Sequence, residues 1–156
     1  MPKHRPTSGG RWAEGQFQPK NPEKYLGDPN QIFFRSSWEQ EAFKFCDNNP
    51  YIIKWASEEI AIPYRKPSPT TGMLVDSIYL PDLFVVISDE MGEIRRELIE
   101  IKPKKQTQKS RARKPLQRAN EEYTLMVNRL KWEAAEHWCK QRNIRFRLLT
   151  EDDQFL

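Results

Sequence analysis

Four charged side chains stand in segments otherwise suited to a protein interior. In "ELIEIKPKKQ" (residues 97–106), Glu100 and Lys102 alternate with Ile99 and Ile101. Side chains alternate across a strand, so Glu100 and Lys102 share one face and the two isoleucines the other. Asp82 follows Pro81 and precedes the apolar run Leu83 to Ile87, which leaves its carboxylate partly desolvated and in need of a partner. Glu39 lies near the start of an amphipathic segment, three residues after Ser36. If 76–88 and 95–103 pair as a hairpin, Asp82 and Glu100 fall on neighbouring strands, where two carboxylates repel unless a cation sits between them. Magnesium suits that position, being a hard ion held by one or two carboxylates that keeps waters and binds phosphate oxygens. A lysine beside it can position an attacking water and offset negative charge developing on phosphorus. The expected metal donors are Asp82, Glu100, the Ile101 carbonyl and Glu39, with Mn²⁺ able to replace Mg²⁺ and Lys102 as the catalytic amine.

Each of these residues also has an ordinary explanation. Ser36-x-x-Glu39 is a capping box, which would occupy the glutamate in closing a helix start. Glu100 and Lys102 could form a same-face ion pair, which contributes below about 1 kcal/mol when exposed. A second acidic pair, Glu58 and Glu59, reads as solvent-facing at a strand start.

The elements that must position these groups follow from the surrounding pattern. "SSWEQEAFKFCDNNP" predicts a helix capped by serine, with Trp38, Ala42, Phe43 and Cys46 on one stripe and a stop at Pro50. Short strands are expected near Tyr51–Trp55 and across Ile60, Ile62 and Tyr64. "DSIYLPDLFVVIS" predicts one strong strand with an edge position or bulge at Pro81, then a hairpin turn at "DEMGE" and the strand "RRELIEIKP". A helix from about Pro115 to Arg142, with Leu116, Ala119, Tyr123, Leu130, Ala134 and Trp138 on its apolar face, leads to the closing strand "IRFRLLT". A helix between two strands is a crossover that sets them parallel. The expected fold class is α/β, a single domain with an α-β-β-β-α-β core and a mixed central sheet.

Charge is distributed unevenly. Residues 102–118 carry eight Lys/Arg and no acid, whereas the rest of the chain has 18 basic and 22 acidic residues. So concentrated a block suggests a polyanionic partner, nucleic acid first, with Lys104, Lys105, Lys109, Arg111, Arg113, Lys114 and Gln117 as the contacts. Two cysteines and two histidines make neither a disulfide framework nor a zinc site. The longest apolar run, Leu83 to Ile87, cannot span a bilayer. The first residues lack a secretory h-region, so an intracellular setting is expected. Residues 1–30 hold five of the 12 prolines and four of the six glycines. They read as an extended, partly disordered arm, with the folded domain at 31–156.

Pro81-Asp82, then seventeen residues, then Glu100-x-Lys102 resembles the PD-(D/E)xK nuclease superfamily, whose restriction-endonuclease-like core has this element order. The stretches "NPEKYLGDP", "RSSWEQEAFKFCDNNP", "WASEEIAIPY", "LIEIKPKKQT" and "NRLKWEAAEHWCKQRNIRFRLLTED" resemble the head completion nucleases of T-even-type tailed phages. A more distant likeness is to TnsA-type transposon-end endonucleases. The resemblance covers about residues 20–153. It implies metal ligation by Asp82 and Glu100, Lys102 as the catalytic lysine and Glu39 as the helical carboxylate. It also implies a protein of the host cytoplasm, or associated with the virion, that acts on packaged DNA or DNA ends alongside head, portal or neck proteins. "DSIYL", before Pro81, is less basic than this likeness leads one to expect. Two other readings stand beside it: a non-catalytic component that grips DNA, and a nuclease subunit inactive without a mate.

Overall fold

Both helices start at signals visible in the chain. Ser36 caps α1 (Ser37–Asn48), its Oγ accepting from the Glu39 N–H at 3.1 Å, which satisfies one donor left free by the first turn. Helix α2 (Pro115–Lys140) opens on a proline, where no N–H is required. The computed structural model describes residues 14–156. Its strands are β1 (Gly15–Gln16), β2 (Phe33–Phe34), β3 (Ile52–Ser57), β4 (Ile62–Pro67), β5 (Leu74–Tyr79), β6 (Leu83–Ser88), β7 (Ile94–Ile101) and β8 (Arg145–Leu149).

The central sheet runs in the order β3-β6-β7-β8. Its first three strands are antiparallel, and β8 lies parallel to β7 after the α2 crossover. The expected α-β-β-β-α-β order is therefore present in α1, β3, β6, β7, α2 and β8. Alternation sorts the two faces. Leu83, Val85, Ile87, Ile99 and Ile101 pack with Ala42, Phe43 and Cys46 of α1. Leu98 packs on the other face with Val127, Ala135 and Cys139 of α2.

Three expectations need correction. Residues 76–88 do not form one strand. The chain breaks at Leu80-Pro81-Asp82, and β5 pairs with β4 in a separate hairpin while β6 enters the central sheet. Proline has no N–H to give a ladder, and here it marks a change of sheet rather than a bulge within one. Secondly, the first two turns of α2 carry no core among the described residues: Leu116 is 75% exposed, packing starts at the half-buried Tyr123, and Leu125 is the first buried side chain.

The third correction concerns the N-terminal segment. Residues 1–13 of the expected arm lie outside the described residues, but 14–30 are seated on the domain. Phe17 meets Phe43 and Trp55 edge-on at 5.7 and 6.0 Å, and Tyr25 meets Trp55 at 4.8 Å. The Lys20 and Asn21 N–H groups donate to the buried Asp47 carboxylate at 2.7 and 3.0 Å. This anchoring uses isolated aromatics and backbone donors, which leave no periodic trace in a sequence.

A chain beginning at residue 31 would expose Trp55 and strip Asp47 of two donors. The expected loss is at least about 3 kcal/mol, comparable to deleting one large core aromatic. Denaturant unfolding checks this, and an unchanged midpoint would restore the boundary at 31.

Candidate active site

The break at Pro81 places the acids. Leu83 stands opposite Ile99 in the β6–β7 ladder, so one step back along the same register sets Asp82 beside Glu100. Asp82 is held by main chain, its Oδ2 accepting from the Ile101 N–H at 2.7 Å. Glu100, on β7, is buried, and Lys102, just past the end of the strand, is half-buried. Glu100 Oε2 accepts from the Tyr79 hydroxyl at 2.8 Å, and Lys102 Nζ lies 3.6 Å from Oε1. The two charges thus share a face, as strand alternation requires. Lys131 reaches in from α2, with its ammonium 5.7 Å from the Tyr79 ring centre.

This geometry is electrostatically costly. Loss of water, followed by the negative charges of Glu100 and Glu39, pushes the Asp82 carboxyl well above its usual range, against the opposing pull of the Ile101 N–H and Lys102. Burial also raises Glu100, with Lys102 and the Tyr79 hydroxyl acting in the other direction. Tyr79 itself is pushed up by burial and by the Glu100 charge. Both carboxyls are therefore under-compensated by the protein's own cations.

Glu39 does two things at once. Its Oε2 accepts from the Arg35 N–H at 2.7 Å, one residue before the capping position that a standard box would use. Its side chain also lines the cleft that contains Asp82, Glu100, Ile101 and Lys102, a space of about 650 Å³. Arg35 enters the same cleft and pairs with Glu58, whose side chain is 9% exposed and whose φ is +53°. Glu58 is thus an internal partner rather than the solvent-facing residue expected. Sequence reasoning missed Arg35, Glu58, Tyr79 and Lys131. Only Tyr79 carried a signal, as an aromatic three residues before the candidate acid.

Among the described residues, no three His, Cys, Asp or Glu side chains converge into a complete metal cage. A hard divalent ion does not need one, because Mg²⁺ keeps several waters and uses one or two carboxylates together with substrate phosphate. The donor set fits such an ion: two adjacent, partly desolvated carboxylates short of positive charge.

The structure divides the expected nucleic-acid contacts. Lys104 is engaged by acids: its Nζ lies 2.7 Å from Asp152, and its N–H donates to Glu151. Lys105, Lys109, Arg111, Arg113 and Lys114 are exposed and pair with no carboxylate within 4.0 Å among the described residues. Gln117 is exposed on the first turn of α2 and donates to Glu121 at 3.1 Å.

The profile of the family described as TnsA-like endonuclease N terminal matches residues 49–151. The head completion nuclease of Enterobacteria phage T4 is 41% identical over 144 residues, covering 88% of this chain and 91% of the relative.

The raised carboxyls predict a pH dependence of stability. A carboxyl whose folded pKa exceeds its unfolded value favours folding below the unfolded pKa, and that advantage is lost as pH rises through the folded pKa. With chelator present at neutral pH, Asp82→Asn should raise the thermal midpoint by roughly 3 °C for each 1 kcal/mol relieved. The gap should close on acidification toward about pH 4, near the unperturbed carboxyl value. Calorimetry across pH checks both parts, and an Asp82→Asn protein less stable than the parent at neutral pH would contradict them.

Proposed function

The chain belongs to the TnsA-like endonuclease family, and we propose on that premise that it is a divalent-metal-dependent DNA nuclease of the PD-(D/E)xK type. Its proposed task is to process packaged DNA or DNA ends during phage head completion in the host cell, in contact with head, portal or neck proteins. The observation that supports this best is the meeting of Glu39, Asp82, Glu100 and Lys102 on one cleft from three separate elements. The 41% identity to the phage T4 head completion nuclease supports the biological setting.

Asp82, Glu100 and the Ile101 carbonyl are the proposed holders of Mg²⁺ or Mn²⁺, with Glu39 in reach through water. The ion, when bound, supplies Lewis-acid stabilisation of charge on the phosphate oxygens. The Ile101 N–H fixes one Asp82 oxygen and the Tyr79 hydroxyl fixes one Glu100 oxygen, so both acids are oriented before substrate arrives. Lys102 orients the attacking water with its Nζ and keeps positive charge beside the phosphorus as the bond to the leaving 3′-oxygen breaks. The products are a 5′-phosphate and a 3′-hydroxyl. Lys105, Lys109, Arg111, Arg113 and Lys114 hold the flanking phosphates, so affinity falls steeply with salt.

Purified protein with Mg²⁺ should nick or trim DNA and stop on addition of EDTA. Lys102→Ala should lower the cleavage rate by about 100-fold or more while DNA binding persists. A gripping protein without catalysis would bind DNA equally well with EDTA or after Asp82→Asn, and would never cut. Undiminished cleavage by the Lys102→Ala protein would refute the role assigned to the lysine.

A further inference from the structure

The first turns of α2 extend beyond the core, and the basic loop folds back against them. Two bonds tie the loop down: Ser110 Oγ donates to Glu121 Oε2 at 2.5 Å, and Arg118 Nε donates to the Ala112 carbonyl at 2.9 Å. Between loop and helix lies a groove of about 680 Å³. Lys105, Lys109 and Arg111 stand on the loop side, and Gln117, Asn120 and Thr124 on the helix side. The acid that lines the groove, Glu121, has both oxygens engaged, one by Ser110 and the other by Gln117. Gln106 lines this groove and also the catalytic cleft, so the two adjoin at that residue.

The helix side continues in the same direction. Gln117, Asn120, Thr124 and Lys131 recur at steps of three, four and seven, which keeps them on one face over about 21 Å. At the far end Lys131 is half-buried in the cleft, with no carboxylate within 4.0 Å among the described residues. Its charge acts on Glu100 and faces the Tyr79 ring, and with no direct ion pair it adds positive potential for a backbone phosphate at that end.

We propose that groove and cleft form one track for a single DNA strand, so that the substrate carries an unpaired segment beside the scissile phosphate. This rests on the nuclease reading above and adds the form of the substrate. The size argues for one strand: about 680 Å³ is the volume of a site for a drug-sized ligand, roughly one or two nucleotides. The wall chemistry agrees. One side offers cations to the backbone, and the other offers amides and a hydroxyl, groups able to bond to the Watson–Crick edges that unpaired nucleotides expose. Among the described residues no aromatic side chain lines the groove, so binding depends chiefly on charge and is salt-sensitive.

The test is the double variant Asn120→Asp/Thr124→Asp. Both positions are exposed on the helix, and an unchanged thermal midpoint confirms folding. Binding of an oligothymidylate and of a blunt duplex of equal length is read by fluorescence anisotropy with EDTA present. The expected result is about tenfold weaker binding of the single strand, with duplex affinity changed less than about twofold. Equal losses for both probes, or no loss for the strand, would overturn the proposal. Cleavage with Mg²⁺ is scored separately. Cutting by the parent protein with strand binding unaffected in the variant defeats the track alone. Strand binding that is lost in the variant, with no cutting by the parent, defeats the nuclease reading alone.

Discussion

Two carboxylates stand side by side at one end of the sheet, where water is scarce and each raises the cost of the other's charge. That repulsion is built in rather than tolerated at a flexible surface. Asp82 cannot swing away without leaving the Ile101 N–H, and Glu100 cannot do so without leaving the Tyr79 hydroxyl. The change of sheet at Pro81 brings Asp82 to the end of β6, and the same short link brings Tyr79 to Glu100 from the hairpin strand. One proline therefore arranges both supports.

The two helical layers meet at this point. Helix α1 contributes Glu39 through its own cap, while α2 contributes Lys131 across the Tyr79 ring. Lys102 occupies the next same-face position, just past the end of β7. Negative charge thus comes from the strand ends and from α1, and positive charge from the residue after β7 and from α2. In the proposed function a phosphate with a divalent ion satisfies both sides, which links the local electrostatics to the basic loop that follows β7 directly.

How much of this was legible depends on whether a feature is local. Glu100 and Lys102 share a face because strand alternation demands it. The parallel β8 followed from a helix placed between two strands. The Asp82–Glu100 adjacency followed from a hairpin register that needed only the turn at 89–93. Other features depend on distant contacts that no spacing records. Phe17 and Tyr25 find Trp55 through single aromatic contacts, so a Pro- and Gly-rich segment looked detached. Lys104 looked free for DNA until Asp152, from the far end of the chain, was found beside it. Leu116 fits the apolar period of α2 but is 75% exposed among the described residues, beyond the reach of the core. Capping and site placement looked like alternatives for Glu39, because sequence cannot show that one oxygen serves the cap while the side chain still lines the cleft.

In the proposed function the Asp82–Glu100 pair is bridged by a divalent cation. Crystals equilibrated with Mn²⁺ and measured for anomalous scattering decide this. A peak is expected between the two carboxylates, near the Ile101 carbonyl and within reach of Glu39. Manganese bound elsewhere on the protein, with no density between residues 82 and 100, would contradict it.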